Sequence, residues 1–231
     1  MSLIKNSIWN LGGFVVPTLI AIPSLGLLAR NLGTEKFGLF TLAFAIVGYA
    51  SIFDAGLTKA VIREIAINRN DSVEQRKIIS TATVSVGGLA CIAALLIYLS
   101  VPFMPSLLKI SVANNYDVEV AFKVIAFSVP VFLLNQVWLA YLEGHEQFAN
   151  INIQRITSNS CIAGLPTIFV LCSPTLASAV WGLLFGRLIS LFITFYFGRS
   201  IILSSGLFFD KLVFQQLIKF GGWMTISNII S

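Results

Sequence analysis

The sequence predicts an all-α fold, a bundle of helices that crosses a membrane several times. Hydrophobic residues make up 57% of the 231 residues and charged residues only 11%. In soluble domains, hydrophobic residues make up roughly 45–50% and charged residues about 25%. So little charge cannot cover a soluble surface. The apolar residues also fall in nearly uncharged runs of about 20 residues, the length of helix that spans a hydrocarbon core of about 30 Å.

Six of these runs are long enough to span a bilayer, and a seventh begins near the end of the chain. The stretch without charge at residues 156–185 is too long for one span, and Ser173 and Pro174 provide its turn. The six predicted spans cover residues 8–29, 37–53, 78–101, 124–142, 156–172 and 176–197, and the seventh opens at Phe220.

These spans divide the chain into three predicted segments. Residues 1–199 form a six-helix transmembrane lobe, residues 200–219 a connector, and residues 220–231 the truncated start of a seventh transmembrane helix. The connector alternates apolar residues such as Leu212 and Phe214 with Lys211 and Lys219. This pattern is typical of an amphipathic helix that lies on the membrane surface.

Lysine and arginine are distributed unevenly between the two sides of the predicted bundle. The side of the N-terminus has ten, namely Lys5, Lys59, Arg63, Arg69, Arg76, Lys77, Arg155, Arg199, Lys211 and Lys219. The opposite side has four, namely Arg30, Lys36, Lys109 and Lys123. Because basic loops stay in the cytoplasm, the N-terminus is predicted to be cytoplasmic. Topology and anionic lipid headgroups account for the net charge of +5, so we expect membrane lipids and no nucleic acid as partners.

The sequence has no motif typical of an enzyme. It contains no His-Glu-x-x-His pair, no glycine-rich phosphate loop and no nucleophile elbow. The single histidine, His145, lies in a predicted loop, and the three cysteines are scattered through apolar runs, as buried apolar residues are. We therefore expect no catalytic residue, no metal site and no cofactor.

Arg187 is the most informative ionisable residue, because it lies near the middle of the sixth predicted span. A charge inside a membrane is costly and usually faces the bundle interior or a water-filled cavity. We therefore predict that Arg187 faces a cavity and binds substrate; the alternatives are a structural ion pair or a side chain that reaches the membrane interface.

Three other cations are candidate substrate-binding residues. Lys59 and Arg63 lie one helical turn apart where the second span leaves the membrane, with Asp54 as a charge partner, and Arg30 ends the first span. Guanidinium groups bind phosphate through two hydrogen bonds and stay charged when desolvated, so this cluster suits an anionic substrate. Ordinary cytoplasmic positive charge explains Lys59 and Arg63 equally well.

Two prolines in the first span, Pro17 and Pro23, are candidate hinges. Each removes a backbone hydrogen bond and tends to kink its helix, and broken helices often line transport paths. The alternative is simple packing, since proline is common in membrane helices.

Four short motifs follow one another along the whole chain: LARNLG with EKFG at residues 28–38, DAGL with VIREIA at residues 54–66, YLEGHEQF at residues 141–148 and FGGW at residues 220–223. Together they resemble the motifs of polysaccharide (O-antigen type) flippases, in the multidrug/oligosaccharidyl-lipid/polysaccharide exporter superfamily. Arg30 and Arg63 fall on these motifs, whereas Arg187 does not. The resemblance implies one six-helix lobe of a two-lobe, MATE-like transporter.

The resemblance also implies a function. Such flippases are taken to move undecaprenyl-diphosphate-linked oligosaccharides across the bacterial inner membrane by alternating access, for O-antigen and lipopolysaccharide biosynthesis. The cationic cavity would hold the diphosphate and sugar while the lipid tail stays in the bilayer. A polysaccharide polymerase and chain-length machinery are the protein partners that this role implies.

Three alternatives stay open. A MATE-type small-molecule exporter would have a cavity lined with carboxylates, and a membrane-embedded glycan enzyme would have a large external loop with catalytic residues. Because flippases of this family have about twelve or more helices, the third alternative is a non-functional, truncated fragment of a flippase.

Overall fold

A computed structural model describes the backbone of residues 3–49, 56–104 and 115–230, and the side chains of residues 15–49, 56–104 and 116–222. These ranges are helical and include no strand, which confirms the all-α prediction. The helices are α1 (Leu3–Tyr49), α2 (Leu57–Ile67), α3 (Ser72–Ser100) with a 3₁₀ turn (Val101–Phe103), α4 (Asn115–Gly144), α5 (Phe148–Cys172), α6 (Leu176–Ser205) and α7 (Lys211–Ile230).

Four helical segments in the described ranges are long and apolar enough to cross a membrane, which confirms the multi-pass prediction. They are Val15–Tyr49, Ser72–Phe103, Phe148–Cys172 and Leu176–Ser205. The first of them is bent and contains two predicted spans, so the four account for five of the six. The fourth predicted span forms most of α4, a 30-residue helix that is not one of the four.

Gly33 divides α1 into two legs, residues 3–32 and 34–49. Its backbone angles, φ 74° and ψ 170°, lie outside the helical region, in a conformation that glycine adopts without steric cost. Ala21 and Phe44 line the same cavity, although a straight helix would separate them by about 35 Å. The two legs therefore fold back on each other, as the first and second predicted spans require.

The turn between α5 and α6 lies where the sequence predicts it, at Ser173 and Pro174. The start of α6 is capped twice. Oγ1 of Thr175 accepts a hydrogen bond from the Ser178 N–H at 3.1 Å. The Asp117 carboxylate, from the first turn of α4, accepts from the N–H groups of Leu176 and Ala177, each at 2.8 Å. These bonds satisfy donors that a helix start leaves free.

Small residues bring α6 against α5. A Cβ atom added to Gly182 would lie 2.6 Å from Cα of Pro166, and one added to Gly186 would lie 3.0 Å from Cα of Ile162. The small-xxx-small spacing thus packs two helices of one bundle. Because α6 also packs extensively on α4, it lies at the centre of the lobe, and its rotation decides where Arg187 points.

The predicted connector, residues 200–219, is divided between two helices. The sixth span continues to Ser205, and α7 then runs without a break from Lys211 to Ile230, across the predicted boundary at residue 219. Its start is tied to α3, since the N–H of Phe208 donates to Oγ of Ser80 at 2.6 Å and that of Asp210 to Oγ1 of Thr81 at 3.1 Å. The three-segment division stays a prediction.

Candidate functional site

A polar cavity of about 540 Å³ lies between α2, α4, α5 and α6. Twelve of its sixteen lining residues are polar or charged. Its wall includes the middle of α5 and α6, at Ser158 and Arg187, and its mouth includes Lys59, Glu143 and Arg155, at one end of the bundle. We call it the polar cavity.

Arg187 lies in the wall of the polar cavity, with its side chain almost fully buried (5% exposed). Its Nε and Nη1 atoms have no hydrogen-bond partner, and no carboxylate of the described residues forms an ion pair with it. Its guanidinium lies over the Phe132 ring, 4.9 Å from the ring centroid. A buried cation without a counter-ion is destabilising, so the geometry is that of a site that an anion would complete.

Neutral polar side chains hold the wall around Arg187. Nε2 of Gln154 donates to Oγ of Ser190 and Oγ1 of Thr194, both at 3.1 Å. Oγ1 of Thr194 in turn lies 2.7 Å from Oδ1 of Asn135, to which it donates. All four residues are buried. Their bonds connect α4, α5 and α6, so three helices hold this part of the wall together.

Two hydroxyl groups of the polar cavity are free to bind a ligand. Oγ1 of Thr58 and Oγ of Ser158 are buried and have no hydrogen-bond partner. A buried hydroxyl without a partner costs about 1–3 kcal/mol. Together with Arg187, they place unsatisfied polar groups from α2, α5 and α6 around one space.

The mouth of the polar cavity is cationic. Lys59 is exposed and forms no ion pair with any described residue. Nη2 of Arg155 lies 2.7 Å from Oε1 of Glu143, a pair that is partly exposed to solvent. Glu143 is the only carboxylate among the lining residues, and Arg155 neutralises it. The cavity therefore favours an anion over a cation.

The structure brings two of the four predicted cations, Lys59 and Arg187, into one cavity. Arg63 lines no part of it: Nη1 of Arg63 lies 2.5 Å from Oε1 of Glu64, and its guanidinium lies over the Phe220 ring at 4.6 Å. Arg30 is exposed near the turn at Gly33. Asp54 lies outside the described residues.

The end of the bundle opposite the mouth is held by an ion pair. Nζ of Lys36, just after the turn in α1, lies 3.4 Å from Oδ2 of Asp117. The same carboxylate caps α6, so it joins α1, α4 and α6. Pro17 and Pro23 lie within the first leg of α1, whereas the backbone of α1 leaves helical angles at Gly33, between the two legs. The hinge role of these prolines stays a prediction.

Sequence reasoning missed Glu64, a buried carboxylate on α2 (3% exposed). Its Oε2 accepts a hydrogen bond from Nε2 of Gln216 on α7 at 2.8 Å, and its Oε1 pairs with Arg63. The signal was present, because Ala60, Val61 and Glu64 share the buried face of an amphipathic helix. Glu64 therefore links the lobe to α7.

A second cavity, of about 420 Å³, lies between the two legs of α1 and α5. Apolar side chains dominate its lining, among them Leu25, Leu28 and Phe44. We call it the apolar cavity. Asn159 and Ile162, one helical turn apart on α5, line both cavities, so the two spaces adjoin.

His145 lies in the turn between α4 and α5. Its Nε2 is 3.1 Å from Oε1 of Gln75, and its ring lies 4.6 Å from that of Tyr141. Burial, with a smaller contribution from the positive charge of Arg69, lowers the pKa of His145 below its usual 6.5. The neutral ring therefore packs the turn against α3.

This fold is that of one lobe of a MATE transporter in a multi-pass helical membrane protein. A MATE crystal structure in complex with MaD5 matches 94% of this chain and 51% of its own, with a TM-score of 0.72 and 16% identity. An outward-facing multidrug resistance MATE transporter of the MOP superfamily matches 94% and 50%, with a TM-score of 0.68 and 15% identity. An inward-facing multidrug resistance MATE transporter matches 91% of this chain and 52% of its own, with a TM-score of 0.67 and 14% identity.

The chain belongs to the family described as polysaccharide biosynthesis protein, whose model matches residues 3–231. It is 53% identical to a "Putative O-antigen transporter" of Shigella flexneri over its whole length, which is 55% of that protein. It is 24% identical to the lipopolysaccharide biosynthesis protein WzxC of Escherichia coli (strain K12), over 44% of that protein. The chain thus spans about half the length of the curated relatives that it matches.

Proposed function

We propose that this chain forms the N-terminal lobe of a flippase that moves undecaprenyl-diphosphate-linked oligosaccharides across the bacterial inner membrane, for O-antigen and lipopolysaccharide synthesis. The observation that carries the proposal is the buried, unpaired Arg187 in the wall of the polar cavity. The family match and the similarity to the "Putative O-antigen transporter" of Shigella flexneri support the same function.

The chemistry of the polar cavity suits a sugar diphosphate. Phosphate oxygens accept charge-assisted hydrogen bonds from a guanidinium, and Nε and Nη1 of Arg187 each lack a partner. The hydroxyls of Thr58 and Ser158 are available to sugar hydroxyls or to phosphate. The cavity volume of about 540 Å³ falls in the range of about 300–1,000 Å³ that ligand sites occupy.

Alternating access is the proposed mode of transport. The lobe matches the outward-facing and inward-facing MATE conformations almost equally well, with TM-scores of 0.68 and 0.67. That similarity supports a lobe that moves as one unit against a second lobe, so that the cavity faces each side in turn. The Lys36–Asp117 pair, opposite the mouth, keeps the α1 turn attached to the lobe in this motion.

The proposed orientation has the N-terminus and the mouth of the polar cavity in the cytoplasm, where lipid-linked units are loaded. The supporting observation is the excess of basic residues on that side. A reporter fused near Ser173 should report outside and one near Arg69 inside. The reverse pattern would overturn the orientation.

The polar cavity favours this function over a small-molecule exporter. That alternative predicts a cavity lined with carboxylates, whereas the single carboxylate among the lining residues, Glu143, is already paired with Arg155. The MATE-like fold and the names of the relatives support transport, not catalysis. The polysaccharide polymerase and chain-length machinery remain the proposed partners.

The decisive test replaces Arg187 in cells that depend on the protein for surface polysaccharide. We expect Arg187→Ala to abolish surface polysaccharide at unchanged protein level, and Arg187→Lys to restore part of it, because lysine keeps the charge without the paired hydrogen bonds. The matched control is Arg199→Ala, since Arg199 lies on the same helix but is exposed and outside the cavity. Normal polysaccharide in cells carrying Arg187→Ala would refute the proposal.

A further inference from the structure

The apolar cavity is a candidate second part of the substrate site. It adjoins the polar cavity through Asn159 and Ile162, and its own lining comes from both legs of α1 and from α5. Leu28 and Phe40 at its back are almost fully buried, whereas Leu25 and Phe44 are about half exposed. The cavity is therefore closed on one side and open on the other.

The charge distribution around the polar cavity restricts how a lipid chain can leave it. A chain joined to a diphosphate at Arg187 has to exit either through the mouth or through the apolar cavity. The mouth is lined by Lys59, Glu143 and Arg155, and an apolar chain there would displace water from charged groups, which is costly. The apolar cavity imposes no such cost, since its lining is as apolar as a lipid tail.

Two of the three polar residues that line the apolar cavity, Thr41 and Asn159, have a partner in their own helix or lie at its border. Oγ1 of Thr41 donates to the carbonyl oxygen of Gly38, 2.8 Å away in its own helix. Asn159 lies at the border with the polar cavity. The polar cavity and the apolar cavity thus lie side by side. An amphiphilic molecule can place its headgroup in the first and the adjoining part of its chain in the second.

We infer that the apolar cavity receives the part of the substrate's isoprenoid chain that follows the diphosphate. The inference rests on the proposed function and differs in one respect from the expectation drawn from the family resemblance, that the lipid tail stays in the bilayer: here the first units of the tail enter the protein. The remaining chain passes between Leu25 and Phe44 to the lipid. Transfer from bilayer to cavity is nearly neutral in free energy, so the cavity guides the chain without trapping it.

The test is a labelling map on the full chain in nanodiscs. The probe is a farnesyl diphosphate that carries a diazirine on the isoprene unit next to the diphosphate. Photolysis and peptide mass spectrometry should place most of the label on residues 17–28, 40–44 and 159–163. Excess inorganic diphosphate should reduce this label severalfold. Label concentrated on lipid-facing residues such as Leu95 and Leu96 of α3, which are more than half exposed, would overturn the inference.

A cavity-filling variant sharpens the test. Ala163→Phe should reduce the amount of label on the residues of the apolar cavity severalfold. Ala94→Phe, on α3 and outside both cavities, should leave the labelling map unchanged. An unchanged map in folded Ala163→Phe protein would overturn the inference. The wild-type map decides the question by itself if Ala163→Phe does not fold.

The Arg187→Gln variant separates this inference from the proposed function. If Arg187→Gln loses the label that inorganic diphosphate reduces in the wild type, Arg187 is part of a phosphate-binding site and the proposed function is supported. That conclusion does not depend on which residues the isoprenoid chain labels. If Arg187→Gln labels as the wild type does and inorganic diphosphate fails to compete, the proposed function falls and takes the inference with it.

Discussion

Two buried charges in this lobe have opposite surroundings. Glu64 on α2 has a partner for each carboxylate oxygen, in Arg63 and in Gln216 of α7. Arg187 on α6 is equally buried, yet its Nε and Nη1 have none. A buried charge with partners connects elements of the fold. A buried charge without an ionic or hydrogen-bond partner destabilises the lobe until a ligand supplies that partner. We therefore expect a structural role for Glu64 and a ligand-binding role for Arg187.

The largest expected effect concerns the wall that carries Arg187. Gly182→Val should lower the stability of the lobe by about 3 kcal/mol or more, because its side chain would overlap the backbone at Pro166 and overpacking costs about 1–3 kcal/mol even without a backbone clash. The measurement is thermal unfolding in detergent. Gly88→Val is the matched control, since a Cβ atom there meets nothing within 4 Å. Equal stability of the two variants would contradict the close packing of α5 and α6.

Inorganic diphosphate should raise the stability of the folded lobe by binding at Arg187. At about a hundredfold excess over its dissociation constant, a ligand adds about 2.7 kcal/mol to the stability of the folded state. We expect a rise in melting temperature for the wild type and none for Arg187→Met. A rise of the same size in both proteins would show that the anion binds elsewhere.

The same substitution at the two buried charges should have opposite effects. Arg187→Met should raise stability by about 1–4 kcal/mol, the range found when buried ionic groups are replaced by apolar side chains. Glu64→Met should lower it by about 0.5–1.5 kcal/mol, the net contribution of a hydrogen bond, because the Gln216 amide and Arg63 lose their acceptor. Both melting temperatures are measured in detergent.

A double variant checks the reason for the loss at Glu64. Gln216→Met should cost less stability in the Glu64→Met background than in the wild type, because the hydrogen bond between the two side chains is already lost there, and a double-mutant cycle measures this coupling. If Arg187→Met were destabilising instead, Arg187 would have a structural role and the contrast between the two charges would fail.

The smallest effect is the pH dependence from His145. Because the folded state lowers the pKa of His145, the unfolded chain binds the proton more readily, and stability falls as pH drops below about 6.5. His145→Gln should remove this part of the pH dependence of the melting temperature. An unchanged profile would assign the dependence to other groups.

Much of the fold follows from local sequence. The turn at Ser173 and Pro174 and the turn at Gly33, between the first and second predicted spans, each depend on a few neighbouring residues, and the structure has both. The role of Glu64 did not follow, because the sequence does not show that α7 returns to cover α2. Its partner Gln216 is 152 positions away.

The sequence alone determined that this protein is a multi-pass helical bundle with one arginine inside a span, because hydropathy and charge are properties of the residues themselves. Tertiary structure decided which cations act together. Lys59 and Arg187 share a cavity, whereas Arg63, four residues from Lys59, turns to Glu64 and Phe220. The physical reason is helix rotation. The contacts of Gly182 and Gly186 with α5 fix the face that α6 presents, and no local pattern specifies that contact.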